Sequence, residues 1–133
     1  MERVYTTPRL DKLGIKPGMR VALVDLEDPA FEAELRARTH DVTHGEPLAD
    51  TDVVLYVADT REALGRLASL RERLVPNGAI WVVSRKGRAA TIRDVDVIDA
   101  ARAAALVDNK VASFDESRTA LRLVIPLALR PGR

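Results

Sequence analysis

The 133-residue sequence predicts one α/β domain, a three-layer sandwich whose mostly parallel sheet ends in an antiparallel hairpin. Short, almost continuous apolar runs alternate along the chain with segments of helical periodicity, which is the pattern of parallel strands joined by helical crossovers. Near the C-terminus, two strand-like segments are separated only by a polar turn, which predicts an antiparallel pair. We expect residues 1–133 to form a single domain, because a second domain would leave neither half enough chain to bury a core.

Four elements are predicted in the first half of the chain. Strands are indicated by apolar runs with few charges, and a helix start is indicated where a capping side chain precedes proline, as in Asp28-Pro29. Residues 1–19 are expected to form a leader and a short helix that packs on the sheet. In order, the elements are that short helix at 8–13, a strand at 20–26 (RVALVDL), a helix at 29–38 and at most a short strand at 41–44.

The second half repeats this alternation before the final hairpin. Thr60 is expected to cap a helix whose leucines recur on one stripe, and the Pro-Asn-Gly segment at 76–78 is expected to stop it. Thr91 with Asp94 is expected to cap the next helix. The elements are a strand at 52–58 (DVVLYVA), a helix at 61–74, a strand at 79–83 (AIWVV), a helix at 91–105, and hairpin strands at 110–114 and 120–127.

The composition is typical of a folded, soluble protein. Hydrophobic residues make up 47% and charged residues 31%, and 21 basic and 20 acidic side chains are interspersed, for a net charge of +1. This composition argues against a disordered chain, and the interspersed charges do not indicate nucleic-acid binding. The absence of cysteine excludes disulfides, thiolate metal sites and cysteine nucleophiles. With no apolar run of membrane-spanning length and no signal-peptide pattern, we expect a cytoplasmic protein that has no contact with membranes.

Three segments resemble class I S-adenosylmethionine-dependent methyltransferases: residues 13–26 (LGIKPGMRVALVDL), 52–59 (DVVLYVAD) and 74–84 (LVPNGAIWVVS). Residues 13–23, together with 106–117 (LVDNKVASFDES), are also similar to a small bacterial family known only as a domain of unknown function. The first resemblance implies a Rossmann-like, methyltransferase-like fold in a truncated form, with S-adenosylmethionine as the cofactor to consider. The second resemblance implies no activity.

The segment after the first strand departs from the methyltransferase pattern. That pattern needs glycines there, because only residues without a β-carbon let the backbone turn tightly and touch the cofactor. This chain has Glu27, Asp28 and Pro29 instead, which fill the approach, remove an amide donor and repel the carboxylate of the cofactor. The 25 residues between Leu26 and Asp52 are too few for the extra strand and helix that usually complete the pocket. We therefore expect no cofactor, and S-adenosylmethionine is a disfavoured alternative.

Polar side chains follow the predicted strands at their carboxyl ends, where doubly wound sheets bind ligands. An acid beside a hydroxyl beside two cations can hold a small anion, a zwitterion or a nucleotide, but the same residues can equally cap helices or be solvated. No catalytic residue is identified, because the serine among them lacks the flanking glycines of a nucleophile elbow. The candidate ligand-binding residues are Asp25, Glu27, Asp59, Thr60, Ser84, Arg85 and Lys86.

Two other kinds of site are disfavoured. Arginine-rich loops can bind phosphate, and the densest basic patch of the chain is formed by Arg85, Lys86, Arg88 and Arg93. Phosphate or nucleic-acid contact is disfavoured, because no aromatic residues are interleaved to stack bases, surface arginines are common, and Asp94 and Asp96 lie close by. His40 and His44 would lie about 13 Å apart in an extended chain, too far to share a metal ion.

The function favoured by the sequence is non-catalytic binding or regulation on a degenerate methyltransferase-like scaffold, with methyl transfer or binding of a small anion or nucleotide as the alternatives. The expected partner is another protein or a second copy, which would pair with an exposed hairpin edge formed by residues 120–127. Asp108, Asn109 and Lys110 precede the hairpin. They form either a helix stop and strand start, with Asn109 in an unusual turn conformation, or a loop that meets a partner or ligand.

Overall fold

The structure is a computed structural model that describes residues 8–131. Its strands are β1 (Val21–Val24), β2 (Val42–His44), β3 (Thr51–Val57), β4 (Leu74–Arg85), β5 (Val107–Ser113) and β6 (Arg118–Val124). Its α-helices are α1 (Arg9–Lys12), α2 (Pro29–Arg36), α3 (Arg61–Leu64), α4 (Leu67–Arg71) and α5 (Asp94–Ala103). Short 3₁₀ helices cover Gly87–Ala89 and Leu127–Leu129. No helix in this part of the chain is long and apolar enough to cross a membrane.

The six strands form one sheet in the order β2-β1-β3-β4-β6-β5. Strands β1 to β4 run parallel, and the final hairpin is antiparallel, as predicted. The predicted place of the second hairpin strand within the sheet was wrong. The edge was expected at 120–127, but β6 pairs with β4 on one side and with β5 on the other, so β5 forms the edge.

Helices cover both faces of the sheet and give the predicted three layers. On one face, α3, α4 and α5 pack their leucines and alanines on the strands. On the other face, α1 and α2 contribute Leu10, Leu13, Phe31 and Leu35. Trp81 of β4 is fully buried there, and its indole Nε1 donates to the Leu13 carbonyl oxygen at 3.0 Å. The short helix α1 thus lies against this face of the sheet, while residues 1–7 of the expected leader lie outside the described residues.

The helix predicted at 61–74 is divided into α3 and α4. Thr60 caps it as predicted, since its Oγ1 accepts from the Ala63 amide at 3.0 Å. The break follows Gly65, where glycine weakens the helix. The segment at 76–78 does not end this helix but lies inside β4, where the register against β3 shifts. A β-carbon at Gly78 would lie 2.9 Å from the Asp52 carbonyl oxygen, so the close approach of these two strands requires glycine.

Two local expectations in the second half were also wrong. Thr91 does not cap α5, because its hydroxyl donates to the Asp59 carbonyl oxygen at 2.5 Å. The helix begins later, and the Asp96 carboxylate accepts from the Arg93 amide at 2.8 Å. The unusual conformation expected at Asn109 occurs instead at Ala105, which has φ 60° where the chain leaves α5. Asn109 itself lies at a shift of register within β5.

Candidate functional site at the carboxyl ends of the strands

The seven predicted ligand-binding residues all lie at the carboxyl ends of parallel strands, but they do not form one site. Asp25 and Glu27 follow β1, whereas Asp59 and Thr60 follow β3, and the remaining three end β4 or follow it. The structure brings the last two groups together, because Asp59 Oδ1 accepts from the Arg85 amide at 2.9 Å. We call the region after β1, which contains Asp25 and Glu27, the β1 end, and the region where β3 and β4 finish the β4 end. The two are separate regions with different chemistry.

The β1 end is tied to the hairpin by three charged residues, Asp28, Asp115 and Arg118, which we call the clamp. One oxygen of Asp28 caps α2 by accepting from the Phe31 amide at 3.0 Å, and the other accepts from Arg118 Nη2 at 2.7 Å. The same guanidinium donates to Asp115 Oδ2 at 2.6 and 2.9 Å. Because β1 and β6 are three positions apart in the sheet, the clamp joins distant parts of its carboxyl edge.

The clamp lies beside a layer of stacked aromatic and guanidinium groups. The rings of Phe31 and Phe114 are buried, with centroids 4.9 Å apart. The Arg9 guanidinium lies 4.8 and 4.9 Å from these two centroids and donates to the Phe114 carbonyl oxygen at 3.0 Å. Arg118 lies 4.8 Å from the Phe114 centroid. Cation–π contact and apolar burial thus hold the start of α2 against the hairpin.

The electrostatics of the clamp favour its charged state. The hydrogen bond from the Phe31 amide, followed by the contacts with Arg118, holds the pKa of Asp28 below its ordinary value. Burial raises the pKa of Asp115, but bonds from Arg118 and the Ser117 amide outweigh burial, so this pKa is also lowered. Burial alone would lower the pKa of Arg118, and its bonds to both carboxylates reverse that effect.

Asp25 makes the turn directly after β1. It has φ 60°, a left-handed conformation that glycine adopts most easily, yet it carries an exposed carboxylate. That carboxylate lies 3.7 Å from Arg66 Nη1, and Arg66 Nη2 donates to Glu46 at 2.7 Å. Glu27 is exposed. The β1 end therefore has acidic side chains at the place where the methyltransferase pattern has glycines, whose backbone a cofactor can contact.

The β4 end opens into a groove of about 510 Å³, which we call the β4 groove. Strands β4 and β6 form its floor, and the 85–90 loop and the start of α5 form its walls. A second open groove of about 560 Å³ adjoins it on the Asp59 side. The β4 groove is lined by Ser84, Arg85, Lys86, Gly87, Ala90, Ile92, Arg93, Asp94, Val95 and Thr119.

Sequence reasoning did not select Arg93 or Thr119 as ligand-binding residues. Arg93 was placed in the basic loop, for which phosphate contact was considered and disfavoured, although its position at the start of a helix was an available signal. Thr119 pairs with Ser84 between β6 and β4, a register that no local pattern in the sequence specifies. Three predicted residues, Ser84, Arg85 and Lys86, do line this groove.

The remaining predicted residues lie elsewhere. Asp108, Asn109 and Lys110 belong to the edge strand β5 rather than to a loop. Lys110 Nζ donates to the Lys12 carbonyl oxygen at 3.1 Å, and Asn109 accepts from Arg122 at 3.3 Å. These contacts support the interpretation of this segment as a strand start.

The histidines also lie apart from both regions. His44 ends β2, and its Nε2 lies 2.9 Å from the Glu32 carboxylate, which is also bonded by Arg36. His40 is exposed before that strand.

Comparison with solved structures confirms the methyltransferase-like fold. The N-methyltransferase NodS of Bradyrhizobium japonicum aligns with TM-score 0.65 and 12% identity over 89% of this chain and 92% of its own. The Haloferax volcanii protein solved in complex with the methyltransferase activator Trm112 aligns with TM-score 0.63 and 13% identity, over 89% and 86%. A TehB-like S-adenosylmethionine-dependent methyltransferase of Corynebacterium glutamicum aligns with TM-score 0.58 and 12% identity, over 88% and 85%.

At these identities the likeness shows the fold alone. Comparison with curated protein sequences finds no match. A family model described as "Protein of unknown function (DUF3052)" matches residues 10–127, most of the chain. The chain therefore belongs to the DUF3052 family.

Proposed function

We propose that this chain is a non-catalytic, cytoplasmic binding protein that retains the methyltransferase scaffold without its cofactor. The observation that carries this proposal is the clamp. In this fold a cofactor at the first strand must reach the backbone after β1, and here that segment holds Asp28 and Pro29 with Asp28 bonded on both oxygens. A cofactor would have to displace charge-assisted hydrogen bonds, which are among the stronger contacts in proteins.

The short connection between β1 and β3 supports the same proposal. Only α2 and the three-residue strand β2 lie between them, and β2 is an edge of the sheet. The extra strand and helix that would extend the sheet beyond β2 are not among the described elements. A bound cofactor would lack the wall that these elements supply.

The test is a calorimetric titration of the folded protein with S-adenosylmethionine and S-adenosylhomocysteine. A methyltransferase of the same fold serves as the positive control, and circular dichroism verifies that the protein is folded. We expect no binding heat from either compound. A saturable heat with micromolar affinity would contradict the proposal and favour methyl transfer.

Self-association through β5 is a second candidate function, favoured by the exposed edge of the sheet. Val111 of β5 is 57% exposed, and Val107 at its start is also exposed. An unpaired strand edge with exposed apolar side chains is suited to pairing with a second copy across a two-fold axis. The Haloferax volcanii neighbour was itself solved in complex with another protein, which agrees with the use of this fold in assemblies.

Sedimentation velocity at micromolar to millimolar concentration tests this candidate. We expect a dimer in the wild type and a shift toward monomer in Val111→Lys. The matched control is Leu48→Lys, which changes a 50% exposed side chain in the loop before β3 and should leave the dimer intact. A wild-type protein that stays monomeric throughout the range would contradict self-association.

A further inference from the structure

We propose that the β4 groove binds a small phosphate-bearing molecule. This inference goes beyond the proposed function, because it concerns the opposite end of the carboxyl edge from the clamp. Three features of the groove point to an anionic ligand: a serine hydroxyl on its floor, a helix start in its wall, and arginines that form no ion pair within the described residues.

The floor of the groove carries the hydroxyl. Ser84 is only 6% exposed, yet it lines the groove, and its Oγ makes no hydrogen bond within residues 8–131. Its cross-strand neighbour Thr119 also lines the groove, and its one hydrogen bond there, to the Ala112 carbonyl oxygen, is long at 3.4 Å. The serine residue is buried while it still lines the open groove, so its hydroxyl is available both to donate a hydrogen bond to a ligand and to accept one from it.

The start of α5 forms part of the wall. This ten-residue helix begins at Asp94, and the Asp96 carboxylate caps the preceding Arg93 amide but not the amides of Asp94 and Val95. The amides of Asp94 and Val95 therefore have no acceptor within the helix, and both residues line the groove. The positive end of the helix dipole favours an anion at the same place.

The arginines around the groove, unlike Arg66 and Arg118 at the β1 end, form no ion pair with a carboxylate of the described residues. Arg85 and Arg93 line the groove, Arg88 lies in the adjoining loop, and none of the three makes an ion pair within the described part of the chain. Lys86 also lines the groove and donates to Ser113 Oγ at 2.9 Å. Guanidinium groups without partners are suited to bidentate contact with phosphate oxygens.

The acidic residues nearby do not cancel this charge. Among the described residues, Asp94 is the only carboxylate that lines the groove, against two arginines and one lysine. Asp96 does not line the groove; it accepts from the Arg93 amide and pairs with Arg61 at 3.2 Å. The excess of positive charge, in a volume of about 510 Å³, fits a phosphorylated small molecule better than a neutral one. None of the lining residues between positions 8 and 131 is aromatic, so the groove offers no described side chain on which bases could stack, which argues against a nucleic-acid strand.

The experiment titrates the protein with inorganic pyrophosphate by calorimetry, with citrate and sodium chloride at matched ionic strength as comparison solutes. Arg93→Ala removes a cation of the groove, and Ser84→Ala removes the hydroxyl on its floor. Arg102→Ala is the matched control, because Arg102 is an exposed arginine of the same helix outside the groove. Thermal unfolding of each variant verifies that it remains folded.

We expect saturable pyrophosphate binding that weakens at least tenfold in Arg93→Ala and several-fold in Ser84→Ala, and is unchanged in Arg102→Ala. Binding of citrate but not pyrophosphate would replace phosphate with carboxylate as the ligand class and overturn the proposal. An absence of heat in folded wild type, or an equal loss in Arg102→Ala, would also overturn it. Binding of S-adenosylmethionine would refute the proposed function without altering this result, since the two titrations probe different regions.

Discussion

The β1 end and the β4 groove lie on the same edge of the same sheet, but their charged side chains differ in whether they form ion pairs. At the β1 end, Asp28 and Asp115 share Arg118, and Arg66 lies between Asp25 and Glu46. In the β4 groove, Arg85 and Arg93 make no ion pair within residues 8–131, and Ser84 lines the same groove. The charged side chains of the β1 end pair with one another and stabilise the fold, whereas the arginines of the β4 groove are available to a ligand.

This difference teaches that the position of a residue at a strand end is not enough to make a site. Asp25 and Ser84 both occupy carboxyl ends, yet Asp25 sits in a turn against Arg66, while Ser84 lacks a protein partner. A polar group that is already bonded within the protein stabilises the fold, whereas one that faces an open groove without a protein partner is available to a ligand.

The largest expected difference between the two regions is in stability. Arg118→Ala leaves two partly buried carboxylates without their shared donor and should lower the free energy of unfolding by about 2 kcal/mol. Arg93→Ala removes no ion pair and should change it by less than about 0.5 kcal/mol. Urea denaturation of both variants measures the free energy of unfolding. Equal losses of stability in the two variants would contradict the difference between the two regions.

A smaller effect is expected in the pH dependence of stability. The folded pKa values of Asp28 and Asp115 lie below the ordinary value of 3.8. The unfolded state therefore binds more protons in this range, so the stabilisation is fully present above the ordinary value and is lost as pH falls through the folded pKa. In Asp28→Asn, the loss of stability on acidification should be smaller than in wild type.

Denaturation curves between pH 2 and 7 test this prediction. The control is Asp94→Asn, which changes a carboxylate of the β4 groove that makes no ion pair within the described residues. An acid sensitivity of Asp28→Asn equal to that of wild type would show that the clamp does not stabilise the fold through its charge.

Much of the fold could be predicted because it depends on local chemistry. Asp28 and Thr60 each cap a helix by accepting from an amide three residues later. Because the two partners are so close in sequence, such a cap can be predicted from the sequence alone. The order of the hairpin strands was not predictable in this way. Strand β6 lies inside the sheet because it pairs with β4, a contact between distant segments that alternating apolar residues do not specify.

The candidate site shows the same limit. Glu27, Asp28 and Pro29 indicated from sequence that the β1 end departs from a cofactor site, and Ser84, Arg85 and Lys86 were selected at the β4 end. The clamp itself was not foreseen, because Arg118 lies in a polar turn and its partner Asp28 is 90 positions away in the chain. A contact of that separation follows from the tertiary fold and has no sequence pattern of its own.

The central claim is that the β1 end is closed and the β4 groove is the binding region. Amide chemical-shift mapping of ¹⁵N-labelled protein, titrated separately with pyrophosphate and S-adenosylhomocysteine, tests it most directly. We predict saturable shifts confined to residues 84–95 and 119 with pyrophosphate, and no shifts at residues 25–29 with S-adenosylhomocysteine. Saturable shifts at 25–29 with S-adenosylhomocysteine, and none at 84–95 with pyrophosphate, would contradict the account.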